Sequence, residues 1–142
     1  MVKFMSEYKT VLNEADDEFV VKKSRFIGYV KPVRTADEAV EFINSIKSKH
    51  WDATHNVYAY VLRDGQTRRY SDDGEPQGTA GIPVLDVLLK EELTDVCVVA
   101  TRYFGGIMLG DPFDFLFGEA RTVAAEHFSA IGSGEKSCKV IR

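Results

Sequence analysis

The chain has 142 residues, of which 44% are hydrophobic, and a formal net charge of -4. That length closes one hydrophobic core and is short for two, and the acidic balance removes the Lys and Arg surplus on which sequence-independent nucleic-acid binding draws. Its two cysteines have no CxxC spacing and no histidine beside them, which excludes a disulfide frame and the usual zinc spacings. No stretch reaches membrane-spanning length or resembles a signal peptide, so the expected location is the cytoplasm.

Residues 19–30 are rich in Val, Ile, Phe and Tyr and are interrupted by two lysines and a serine, a pattern that suits one long or two short strands. Thr35 then opens a helix with a capping box. Its hydroxyl can accept from the Glu38 N–H while the Glu38 carboxylate reaches back to the Thr35 N–H. Ala36, Ala39, Val40, Ile43 and Ile46 fall at helical spacing, so this helix is expected to pack one face inward as far as Lys49.

From His55 to Leu62 both alternating sets are largely apolar, as in a strand covered on both faces. Residues 68–71 read as its return strand after a turn at Asp64 and Gly65. A second helix is expected to start around Thr79 to Pro83, with Thr as N-cap and Pro in the first turn, burying Val84, Leu85 and Leu88. The apolar run 96–101, ending in Arg102, has the pattern of a central strand, and a third helix is expected over 113–128. The segment 133–142 is polar and aperiodic and reads as a loose tail behind a single domain of residues 1–132. Strands early and helices interleaved later give an α+β two-layer sandwich, a mixed or antiparallel sheet with helices mainly on one face.

Two loops concentrate glycines, acids and turn-formers: SDDGEPQGTAG at 71–81 and RYFGGIMLG at 102–110. The carboxylates of Asp72, Asp73 and Glu75 around Gly74 suit a hard cation, the basic residues of a partner, or a solvated turn. Gly78 to Gly81 precedes a helix, whose first N–H groups form an anion site, and Arg102 supplies a fork donor; the alternative is that the glycines serve tight turns and close packing. Asp111 and Asp114 put negative charge at the expected start of the third helix and oppose a phosphate there. No GxSxG elbow is present, Cys97 falls in the apolar strand, and Ser71 has no evident His and acid companions. His50, His55 and His127 are not spaced as zinc ligands and read as structural or surface residues. Lys22, Lys23 and Arg25, and Arg63, Arg68 and Arg69, form two short basic stretches that read as solvated faces.

SDDGEPQGTAGIP followed by VVATRYFGGIMLG, with SRFIGYV from Ser24 and HNVYAYV from His55, closely resembles the signature of the YigZ/IMPACT N-terminal family over residues 19–110. The resemblance implies a fold like domain 2 of ribosomal protein S5. It also implies a link to translational control, because eukaryotic members relieve activation of an initiation-factor kinase by competing for its activator. Bacterial members resemble that domain joined to a smaller ferredoxin-like domain. On this likeness Asp72, Asp73, Gly74, Glu75, Pro76, Gly78, Thr79 and Gly81 line one surface with Arg102, Tyr103, Gly105, Gly106 and Gly110. The family supplies no agreed catalytic residue, and none is assigned here, nor any metal or cofactor. The expected partner is a structured RNA or a translation-associated protein. The enzymatic alternative is a hydrolase, metal-assisted or not, using an acid from Asp72, Asp73 or Glu75. After Gly110 the chain departs from the family pattern: DPFDFLF at 111–117 stands where more glycines and a basic residue are usual.

Overall fold

A computed structural model of the chain describes residues 8–11, 13–21, 23–63, 67–74, 77–78, 80–106 and 138–141. Strands β1 (Tyr8–Val11), β2 (Ala15–Val21) and β3 (Ser24–Pro32) lead into helix α1 (Ala36–Lys49). Strands β4 (His55–Val61) and β5 (Arg68–Ser71), helix α2 (Gly81–Lys90) and strands β6 (Val96–Tyr103) and β7 (Cys138–Ile141) follow. Five strands form one antiparallel sheet in the order β2-β3-β6-β4-β5, and β1 pairs with β7 in a separate two-stranded ribbon. The aperiodic tail of the sequence reading thus contains a strand. Val11 faces Cys138 and Thr10 faces Lys139, a pairing between chain ends that local periodicity does not carry.

The sheet buries both faces, as the doubly apolar β4 pattern led us to expect. Successive side chains alternate across a strand, so register sorts them into two sets. Phe26, Val30, Val57, Ala59, Val61, Val96, Val98 and Ala100 pack with Val84, Val87 and Leu88 of α2. Ile27, Tyr29, Tyr60, Cys97 and Val99 pack with Ala39, Phe42, Ile43 and Ile46 of α1. The α+β class and antiparallel sheet stand as expected. The described helices, however, divide between the two faces, where the pattern had suggested mainly one. The reason lies in the central strands. β6 is apolar at every position from Val96 to Ala100, so each face needs its own cover. Leu88, Val84, Val96 and Val98 are fully buried, each contributing about 1.5–3 kcal/mol of apolar transfer.

Helix α1 begins where the capping box placed it. Thr35 Oγ1 accepts from the Glu38 N–H at 3.1 Å, but Glu38 Oε2 takes the Arg34 N–H at 3.3 Å in place of the Thr35 N–H. Its inward stripe is rotated from the one expected: Phe42 is buried with Ala39, Ile43 and Ile46, whereas Ala36 and Val40 are exposed. Helix α2 starts at Gly81 with Ala80 as N-cap, and no side chain of the cap residue closes it. Thr79, the expected cap, and the expected third helix lie outside the described residues, as do Glu75, Pro76 and Gly110.

At the end of the sheet where β6 begins, Asp95 ties four segments together. Its carbonyl accepts from the Val33 N–H at 2.9 Å and from Thr10 Oγ1 at 3.1 Å, while its carboxylate accepts from the Arg63 N–H at 2.9 Å.

Candidate functional site at the glycine-rich end of the sheet

At the opposite end, the two glycine motifs meet on either side of the first residues of β4. The pairing of β5 stops at Ser71, across from Tyr58, and the chain continues beside Asn56 and His55. Asp73 Oδ2 accepts from the Asn56 N–H at 2.6 Å, and the Asp73 carbonyl accepts from His55 Nδ1 at 2.6 Å. Because a carbonyl only accepts, His55 carries its proton on Nδ1. Asp73 donates its own N–H to Ser71 Oγ at 3.1 Å, and Lys47 Nζ of α1 stands 3.9 Å from Asp73 Oδ1. Gly74 follows directly against the His55 ring, 3.3 Å from where a Cβ would sit.

Asp72 turns the other way and closes α2. Its Oδ1 accepts from the N–H groups of Ala80 at 3.1 Å and Gly81 at 2.7 Å, and its Oδ2 accepts from Gly78 at 2.8 Å. A helix start leaves its first N–H groups unsatisfied and carries positive partial charge, so an anion is favoured there. The chain supplies that anion from eight and nine residues upstream. The anion site expected at Gly78 to Gly81 is therefore filled from within. Gly81 permits the approach, since a Cβ there would lie 2.6 Å from Tyr70 Cδ2 and 2.9 Å from the Ser71 carbonyl oxygen.

Across β4, Arg102 stands opposite His55 and Thr101 opposite Asn56. Buried Thr101 donates to Asn56 Oδ1 at 2.7 Å, and Asn56 Nδ2 donates to the His50 carbonyl at 3.2 Å. The Arg102 guanidinium lies 5.5 Å over the ring of Phe104, and its carbonyl accepts from the Thr54 N–H at 2.8 Å. Gly105 donates to Ser24 Oγ at 3.1 Å and lies so close to the β2–β3 turn that a Cβ would fall 2.0 Å from the Lys23 carbonyl oxygen. Gly106 is exposed, with open space about it. The two motifs thus share one end of the sheet, with His55 bonded to the Asp73 carbonyl on one side and opposite Arg102 on the other.

Tyr103 points to the α1 face and belongs to a cluster that sequence reasoning missed. Tyr103 Oη donates to Asp52 Oδ1 at 3.0 Å and lies 2.7 Å from His50 Nδ1, while Tyr29 Oη lies 2.5 Å from His50 Nε2. With Tyr103 donating to the carboxylate, its oxygen accepts from His50 Nδ1–H, and Nε2 accepts from Tyr29. The result is a directed chain from Tyr29 through His50 and Tyr103 to Asp52. Burial, helped by Lys49 and Arg25, lowers the His50 pKa, and burial with the Asp52 bond raises that of Tyr103. Arg25 lies 5.6 Å over the Tyr103 ring and is hydrogen-bonded to Glu18 at 2.6 Å, which lowers the Glu18 pKa. The one available signal was the position of His50, directly after α1, where its N–H caps the Ile46 carbonyl. Trp51 beside it is 81% exposed and Phe104 42% exposed, and neither belonged to the expected surface. Cys97 is fully buried, and burial pushes its thiol up to about 12.

Among the described residues, no group of three or more His, Cys, Asp or Glu is arranged to hold a metal ion, and no helix is long and apolar enough to cross a membrane. A cavity of about 400 Å³ lies at the far end of β4, lined by Val61, Leu62, Arg63, Arg68, Leu89, Glu92, Leu93 and Thr94, away from the glycine motifs.

The fold and site define a class: an antiparallel α+β domain whose paired glycine motifs are folded onto its own carboxylates at one end of the sheet. The chain matches the Impact N-terminal domain over residues 22–116 and belongs to that family. It is 51% identical over 107 residues to the IMPACT family member YvyE of Bacillus subtilis (strain 168), covering 75% of this chain and 49% of that protein. It is 41% identical over 93 residues to YigZ of Escherichia coli (strain K12), covering 63% and 46% respectively. The chain thus spans about half the length of these curated relatives. Among solved structures, a crystal structure of a hypothetical protein superposes with a TM-score of 0.84 at 29% identity, over 96% of this chain and 64% of that one.

Proposed function

We propose that this chain is a non-catalytic binding domain of the IMPACT type that acts in the cytoplasm on translation through a protein of the translation machinery. The observation that carries this reading is the state of the carboxylates. Asp72 accepts three backbone N–H groups, and Asp73 accepts one and faces Lys47. Acids held this way build a surface and are poorly placed to take a proton from a substrate or to enter the shell of a metal, which weighs against the hydrolase alternative. A protein partner suits the surface better than RNA. The net charge is -4, and Arg25 and Lys47 each face an acid. The surface offered comprises Gly74, Gly78, Arg102, Phe104 and Gly106, with Trp51 alongside.

The test is a cell-free translation reaction supplemented with the purified domain. A change in yield is expected, lost in the Arg102→Ala, Phe104→Ala double variant while its circular dichroism stays that of the parent. An unchanged yield at every concentration up to about 100 µM overturns the reading. Binding of a structured RNA with a steep salt slope moves the partner from protein to RNA.

A further inference from the structure

The five-stranded sheet ends in two edges of opposite charge. β2 carries Asp16, Asp17 and Glu18, all exposed, and β5 carries Arg68 and Arg69, also exposed. Among the described residues no strand lies beyond β5 in the sheet. An edge strand presents backbone N–H and C=O groups that an extended segment can pair with, and side-chain charge decides which segment is admitted.

The β5 register places Arg68, opposite Val61, on the α2 face and Arg69, opposite Tyr60, on the α1 face. On the Arg68 side the 400 Å³ cavity opens at the same edge, walled by Val61, Leu89 and Leu93. A strand laid along β5 would therefore meet a hollow of mixed lining on one face, with Val61, Leu89 and Leu93 beside Glu92 and Thr94, and a guanidinium on each face. From this geometry we propose that the β5 edge accepts an extended acidic peptide of a partner protein as a sixth strand, with an apolar side chain entering the cavity on the α2 face and carboxylates meeting Arg69 on the α1 face.

This site adjoins the first glycine motif at Ser71, but its edge and cavity lie beyond the function proposed above. A second copy of β5 is excluded as occupant by like charge. A second copy of β2 would match in charge, but Glu18 is already bonded to Arg25, and head-to-tail addition through unlike edges builds a ring or an open filament. A separate peptide satisfies the edge without that consequence.

The experiment uses the full chain, labelled with nitrogen-15, and three capped octapeptides: alternating Glu and Val, alternating Lys and Val, and the Glu–Val peptide N-methylated along one edge. The Glu–Val peptide is expected to shift the amides of residues 68–71 and of Leu89 and Glu92, saturably and below about 1 mM. The Lys–Val and N-methylated peptides should bind at least about tenfold more weakly, the latter because strand addition needs its N–H groups. Arg69→Glu, at an exposed position, should weaken the Glu–Val peptide by roughly tenfold and Arg69→Lys by much less. No saturable binding of the Glu–Val peptide overturns the proposal, as does binding indifferent to N-methylation or to Arg69→Glu. Light scattering that shows particle size growing with protein concentration alone assigns the edge to a second copy and also overturns it.

Discussion

At Asp72, three backbone N–H groups converge on one carboxylate, and at Asp73 the next carboxylate takes the Asn56 N–H of a central strand. Neighbours in sequence, they brace different elements, α2 and β4. Gly105 shows the same economy at the second motif, where only the absence of a Cβ lets the chain lie against the Lys23 carbonyl. Gly105→Ala must displace backbone on one side, so urea unfolding should register a loss of about 1–3 kcal/mol; an unaltered midpoint would mean that the two loops do not touch. His50 makes a different prediction. Its pKa is lowered in the fold, so below the ordinary value of 6.5 the unfolded chain takes up a proton that the folded one resists. Stability is therefore expected to fall from pH 6.5 downward, until the folded pKa is passed, and not to change above it on this account. His50→Gln should flatten that part of the pH profile, and an equal slope in parent and variant would remove His50 as its source.

Among the elements, α1 offers the sharpest contrast between pattern and packing. Its spacing marks Val40 as inward, yet Val40 is 45% exposed and Phe42 is 4% exposed. Phe42→Ala should cost about 3–5 kcal/mol and Val40→Ala no more than about 0.5, measured by urea unfolding. The reverse order would restore the stripe read from the sequence. Much of the fold was legible in such patterns: the capping box of α1, the return strand β5, and the apolar run of β6 all lie close to where composition and spacing put them. What was not legible was long-range. The pairing of β1 with β7 joins opposite ends of the chain, and the cap of α2 comes from Asp72 across a loop, where a local rule looked to Thr79. The same holds at the site. Glycines and acids announced the two motifs, but the distant contacts that occupy Asp72 and link Tyr103 to His50 have no signature in local sequence.

For the molecule as a whole, the described residues form one sheet with a helix on each face, and its two ends differ. One end carries the paired motifs that mark the family, and the other carries Asp95 and the cavity beside α2. The single tryptophan, at the glycine-rich end, is 81% exposed, so its fluorescence should be strongly quenched by acrylamide in the free domain and protected when a partner covers that surface. Quenching that is weak before any partner is added would place Trp51 under other parts of the chain. In the proposed function the SDDG acids hold the domain together and present its motifs, in contrast to acids kept ready for chemistry. Residues poised for catalysis commonly cost stability, so replacing one tends to stabilise a fold, whereas removing a charged acceptor from three N–H groups destabilises it. The most direct measurement is equilibrium urea unfolding of Asp72→Ala beside the parent chain. A loss of about 1–3 kcal/mol is expected, and an Asp72→Ala domain as stable as the parent, or more so, would mean that Asp72 does not hold the start of α2.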